Sequence, residues 1–392
     1  MSGTAARIAP VLRDDTARVT PLELFFDLVF VLALTQCTAL MAHEPTWEGL
    51  AKGLLVLALL WWAWVGYAWM TSVVDPEEGA VRFVMFAAMA ALLVVALCVP
   101  EAFSERALLF AVAYAGVRAA QVVLLYLGGR EDPKMRAAVK GLAVTSAIGS
   151  ALIIGASFLD HELQGAIWLI ALTIDIGGPL LYGQDGWHIS AGHFAERHGL
   201  ILIIALGESI VAIGVGAEGI EIGAGEVTAA VLGMAIAAAL WWLYFDVVAL
   251  VAERRLVNAA PGREQNTIAR DSFSYLHLPM IAGIVLSALG LKKTLGHVDD
   301  ALKIEIATAL FGGIAMYLLA HVAFRWRNVG RFSTQRLVVA LVLLALIAVG
   351  TEVDALVSIG IVAAVLWALI AYETWRFADL RDRLRHEHHH PA

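Results

Sequence analysis

Charge is what this chain lacks. Of its 392 residues only 16% are Asp, Glu, Lys or Arg, while 60% are hydrophobic. A soluble chain of this length carries roughly a quarter charged residues. A pair of soluble domains, which length alone allows, is therefore excluded, in keeping with a mean hydropathy of +0.78. Thiols are equally scarce. Cys37 and Cys98 each sit inside an apolar run and read as small core residues, with no spacing suited to a disulfide framework or a metal site. Met1 to Thr20 is polar and lacks the short apolar stretch and small-residue cleavage site of a signal peptide, so the first helix is expected to direct insertion. Walker A, G-x-G-x-x-G and H-E-x-x-H patterns are missing too, each of which would mark a specific chemistry. Gly207-Glu208-Ser209 lacks the strand-turn-helix setting of a nucleophile elbow. These gaps argue against an ATP-driven pump, an enzyme, a bound cofactor or metal, and a nucleic-acid partner.

What is present is a series of apolar segments at 21–42, 48–73, 80–99, 103–128, 137–159, 163–183, 198–218, 226–251, 271–290, 301–324, 334–350 and 354–375. Each is long enough to cross a bilayer as a helix, 334–350 being at the short end. The expected fold is all-α, a polytopic transmembrane bundle of about twelve helices in contact with lipid. The polar connections are too short to hold a soluble domain. Basic residues test the count, because cytoplasmic loops collect Lys and Arg. With the N-terminus inside, only Lys52, Arg106, Lys292, Lys293 and Lys303 fall on the outer side, and Arg118 falls within a helix. This alternation supports a multi-pass protein of a bacterial inner membrane with both termini cytoplasmic.

The two halves resemble each other. Leu32-Ala33-Leu34-Thr35-Gln36 parallels Ile204-Ala205-Leu206-Gly207-Glu208, Trp61-Trp62 parallels Trp241-Trp242, and Arg82 parallels Arg270. A duplicated six-helix unit, with both copies in the same orientation as in transporters built from parallel repeats, accounts for the order. The expected organisation is a cytoplasmic segment 1–20, a first six-helix unit 21–183, a second 198–375, and a tail 376–392. His386-Glu387-His388-His389-His390 reads as a neutral terminal tail rather than a metal site. Gly199, Gly207, Gly214 and Gly216, with Ala195, Ala205 and Ala212, run along the seventh segment. Small residues let helices approach closely, so this helix is expected in the bundle interior.

Charge within a bilayer costs at least about 2.5–3.5 kcal/mol per residue, so ionisable residues inside the segments are candidate functional groups. Glu23 and Asp27 are spaced i, i+4 and share one face. Arg118, Asp175, Glu208, Asp246, Asp271 and His277 complete the set. Acids outnumber the one deeply placed base, Arg118, which suits a cation or proton pathway. Carboxylates in poorly solvated sites can exchange protons near neutral pH. Pro279 is expected to kink the helix beside His277, and Pro179 offers a similar break after Asp175. The tryptophans of Trp61-Trp62-Ala63-Trp64 read as packing.

Pro21-Leu22-Glu23-Leu24-Phe25-Phe26-Asp27-Leu28-Val29-Phe30-Val31 resembles the opening signature of the bacterial low temperature requirement A (LtrA) family. His193-Phe194-Ala195-Glu196-Arg197-His198-Gly199-Leu200, continuing through Ile204-Ala205-Leu206-Gly207-Glu208-Ser209-Ile210, is similar to its second signature. The resemblance implies a bacterial membrane protein tied to growth in the cold, and implies neither reaction nor substrate. It adds His193, Glu196, Arg197 and Ser209 to the candidate positions. The leading expectation is a transporter or channel for a small ion or solute, with proton coupling as one form. The alternatives are a membrane enzyme acting on lipid head groups and a non-catalytic scaffold or sensor. A homo-oligomeric assembly stays open.

Overall fold

The structure is a computed structural model that describes residues 18–77, 79–129, 132–181, 186–379 and 381. The His-rich tail lies outside the described residues, as does most of the N-terminal segment. Among the described residues eleven helices are long and apolar enough to cross a membrane: α1 (Pro21–His43), α2 (Trp47–Val73), α3 (Val81–Glu101), α4 (Ala107–Gly128), α5 (Pro133–Ala156), α6 (His161–Leu181), α7 (Ala191–Gly216), α8 (Ala224–Val257), α9 (Arg263–Leu295), α10 (Ile304–Val329) and α12 (Ala355–Arg376). Between the last two lies the shorter apolar α11 (Thr334–Gly350), 17 residues long. That is about 26 Å of helix, just under a hydrocarbon core of about 30 Å. The protein is an all-α polytopic helix bundle, and every expected segment is a helix.

Local chemistry sets several boundaries. Thr20 caps α1 through a capping box with Glu23, and Pro21 occupies the first turn, where its missing N–H costs nothing. Asp132 caps α5 by accepting from Lys134 N, ahead of Pro133. α7 begins at Ala191, earlier than the 198 expected from hydropathy. Hydropathy counts His193 and Arg197 as exposed polar groups, whereas both are buried and paired. α8 is interrupted by a turn at 246–247, which puts Asp246 at a break in the helix. In α9 a π-helical turn, Ala269–Tyr275, precedes the α-helical stretch that starts at His277. The wider turn takes up the irregularity expected near Pro279, since such insertions re-route the backbone ladder. α6, by contrast, is unbroken through Pro179 to Leu181. Pro179 sits two residues from the end, where the only bond forfeited is the one to the carbonyl of Asp175.

The chain divides into two compact units. The first comprises Met1–Glu44, Glu48–His198 and Leu256–Ser274, and the second Pro45–Trp47, Gly199–Arg255 and Tyr275–Ala392. The first unit thus takes in Leu256–Ser274, which the apolar pattern groups with the second half. In the first unit α1 packs on α3, and α3 to α6 pack in chain order. α2 is its most enclosed helix, tied by Tyr67 Oη to the Val117 carbonyl (2.8 Å) and by Tyr114 Oη to its own Leu59 carbonyl (3.3 Å). In the second unit α8 packs on α12, and α9 on α10. There the glycines matter: a Cβ on Gly283 would strike the Gly313 carbonyl, and one on Gly313 would lie 2.8 Å from the Gly283 carbonyl.

The glycines of α7 differ among themselves. A Cβ on Gly207 or Gly214 would meet nothing within 4 Å, whereas one on Gly216 would lie 2.7 Å from the Lys292 carbonyl of α9. Of the apolar window of α7 39% is buried, against 72% for α2, 78% for α9 and 72% for α10. The expectation of close packing along α7 holds at Gly216 and is corrected for Gly207 and Gly214, because close approach needs a neighbour's backbone opposite the glycine.

Candidate functional site

Four ionisable side chains meet in the first unit. α1 presents Glu23 and Asp27 one turn apart, and α7 presents His193 and Arg197 one turn apart. Arg197 Nη2 donates to Asp27 Oδ1 at 2.7 Å, and Nη1 lies 3.4 Å from Glu23 Oε1 and 2.7 Å from Thr71 Oγ1. His193 Nε2 lies 2.9 Å from the same Glu23 Oε1. The Trp64 indole N–H donates to Asp27 Oδ1 at 2.8 Å, and its ring faces the Arg197 guanidinium at 5.4 Å. None of these four is more than 1% exposed. The capping role of Glu23 also fixes its rotamer. Oε2 accepts from Thr20 N at 2.9 Å, which turns Oε1 toward α7.

The hydrogen-bond directions define a proton. Ser72 Oγ donates its one hydrogen to the Ala68 carbonyl at 2.8 Å, so the 3.2 Å contact with His193 Nδ1 is one in which Nδ1–H donates. A single proton then lies between His193 Nε2 and Glu23 Oε1, on whichever of the two holds it. Beside it Asp27 and Arg197 form an ion pair. Asp27 Oδ2 and Arg197 Nε are buried with no hydrogen-bond partner among the described residues. The order Ser72, His193, Glu23 resembles a nucleophile, base and acid. However, Ser72 bonds a backbone carbonyl, and all three are enclosed.

A second constellation in the same unit joins Arg118 of α4 to Asp175 of α6, with Nη2 at 2.8 Å from Oδ2. Ser146 bonds both (2.5 Å to Nη2 and 3.1 Å to Oδ1), and Gln121 accepts from Nη1 at 2.7 Å. The remaining candidates are dispersed. Asp271 pairs with its neighbour Arg270. Asp246 pairs with Arg381 at 2.7 Å, and His277 Nε2 meets Tyr244 Oη at 2.8 Å. Glu208 and Ser209 are buried on α7 in the second unit. Glu196 is exposed and accepts from Val19 N.

One expectation is corrected here. Arg118 is not the one deeply placed base, because Arg197 and Arg336 are also buried and each pairs with a carboxylate. Reading Arg197 as a loop residue hid this, although its i, i+4 spacing to His193 matches that of Glu23 to Asp27. Thr71, Ser72, Trp64 and Ser146 are neutral on their own, and only the fold shows that they complete the two constellations. No group of three or more His, Cys, Asp or Glu arranged for a metal occurs among the described residues.

A multi-pass α-helical membrane protein with ion-paired clusters buried in its helices is the class that this fold and site define. The family model described as bacterial low temperature requirement A protein (LtrA) matches residues 18–371, and the chain belongs to that family. It is 31% identical over 315 residues to the uncharacterized protein RA0937 of Rhizobium meliloti (strain 1021), covering 78% of this chain and 76% of that one. No solved structure matches.

Proposed function

We propose that the protein moves a small ion or solute across a bacterial inner membrane, with proton exchange at the Glu23–His193 pair, and is not an enzyme. The observation that carries this reading is the enclosed row Ser72, His193, Glu23, in which His193 Nδ1 lies 3.2 Å from Ser72 Oγ and Nε2 lies 2.9 Å from Glu23 Oε1; a proton shared between Nε2 and Oε1 is the one to be exchanged. An imidazole–carboxylate pair can hand over that proton with little change in net charge, which is how a buried site avoids the cost of an isolated ion. Asp27 Oδ2, an unspent acceptor one helical turn away, is where a proton or small cation is received. The reading includes cytoplasmic termini and a duplicated six-helix ancestor. The duplication is supported within each unit by a tyrosine that bonds a carbonyl of the tryptophan-bearing helix: Tyr114 to Leu59, and Tyr317 to Leu240. One turn beyond each tyrosine stands a buried ionisable group, Arg118 or His321.

Flux into proteoliposomes tests it, with protons and monovalent cations screened on wild type, Glu23→Gln and His193→Gln. The expected result is flux that both variants abolish while each still elutes as folded protein. Equal flux in wild type and both variants overturns the site, and absence of flux for every ion overturns ion transport and turns attention to organic solutes.

A further inference from the structure

The second unit holds a cavity of about 290 Å³, close to the lower end of the ~300–1,000 Å³ typical of small-ligand pockets. It opens among the ends of α8, α10, α11 and α12. Most of its charge is spent internally. Arg336 pairs with Glu373 at 2.8 Å and Arg381 with Asp246 at 2.7 Å. Arg325, half-buried on the cavity wall, makes no hydrogen bond or ion pair among the described residues. The ionised lining therefore carries one net positive charge.

Two further donors belong to residues that line the same space, His321 and Ser333. Arg336 Nη1 lies 2.7 Å from His321 Nδ1. A guanidinium can only donate, so Nδ1 accepts and the hydrogen of the neutral ring is on Nε2. That Nε2–H is buried and has no partner among the described residues. Ser333 is the N-cap of α11, yet its side chain makes no capping bond, and its Oγ is likewise buried and unpartnered. A helix N-terminus favours negative charge, and Ser333 stands at one. The remaining wall is apolar, with Trp242, Phe324, Ile370 and Phe377. Trp326 and Trp375 are exposed nearby, as at a membrane–water interface.

We infer that this cavity binds a phosphate-type oxyanion attached to an apolar body, received by Arg325, His321 Nε2–H and Ser333 Oγ. The anion comes either from an anionic lipid head group or from a soluble organic phosphate. Buried donors left without acceptors are costly, and two of them on residues that line one largely apolar cavity, beside the spare positive charge of Arg325, suit an acceptor of several oxygens.

The test uses the full-length protein in nanodiscs and reads thermal unfolding and dissociation constant. In one arm phosphatidylglycerol is titrated into phosphatidylcholine discs. In the other, glycerol 3-phosphate is added to phosphatidylcholine discs. A rise in Tm in the first arm alone identifies lipid as the source, and a rise in the second identifies a soluble phosphate. Either is expected to weaken by about ten- to a hundredfold in Arg325→Gln, with a smaller loss in Ser333→Ala, a change that leaves packing intact. No response to either probe, or a response unchanged in both variants, overturns the site.

Discussion

A guanidinium held between two carboxylates is costly to disturb from any side. Arg197→Met leaves Glu23 and Asp27 enclosed with their cation gone, and removing one partner of a buried pair costs about 3–5 kcal/mol. Thermal unfolding in detergent is expected to show that loss, and a variant melting with wild type would refute the pairing. Trp64→Phe keeps the ring but removes the N–H that serves Asp27. The expected cost is about 1–3 kcal/mol, with Trp61→Phe losing a bond to the Ser274 carbonyl as the comparison outside the site. The flux variants Glu23→Gln and His193→Gln belong to this scale as well. Both retain hydrogen-bonding atoms but lack a group that can pass a proton, so function is expected to fall further than stability.

Between helices the decisive residues are small. Gly283→Ala forces a methyl group into the α10 backbone and is expected to cost about 1–3 kcal/mol. Gly207→Ala on α7 adds a methyl group to open space and is expected to be within about 0.5 kcal/mol of wild type. Comparing their unfolding midpoints checks both. A glycine stripe in a sequence does not say which glycine has a backbone opposite it: on α7 Gly216 does, and Gly207 and Gly214 do not. The existence of the helices was legible, because a run of apolar residues must be internally bonded in lipid. Helix starts were less so wherever charges are paired inside, as at His193 and Arg197. In the α1–α7 cluster Glu23 and Asp27 could be read from buried charge, and His193 and Arg197 from the family resemblance alone, whereas Thr71, Ser72 and Trp64 are ordinary residues until the fold gathers them. The cavity on α8, α10, α11 and α12 was out of reach but for Asp246, since Arg325, His321 and Ser333 acquire a common role only when helix ends converge.

For the whole molecule, orientation follows from the distribution of Lys and Arg. Alkaline phosphatase fused after Gly296, between α9 and α10, is expected to be active. Fusions after Gly262 and Gly330 are expected to be inactive, and the reverse pattern would invert the topology. The division into units has a consequence for biosynthesis. The first unit includes Leu256–Ser274, held by Trp61 and Trp69 bonding to Ser274 and by Asn266 bonding to the Trp187 carbonyl. A ribosome delivers the chain from its N-terminus, and domains ordinarily fold in that order. Here the earlier unit must wait for a strip of chain made after α8, so α2 emerges with its tryptophan partners still unsynthesised. Until residue 274 has arrived the first unit lacks the acceptors of Trp61 and Trp69, and cutting the gene between the halves is expected to yield two incomplete pieces.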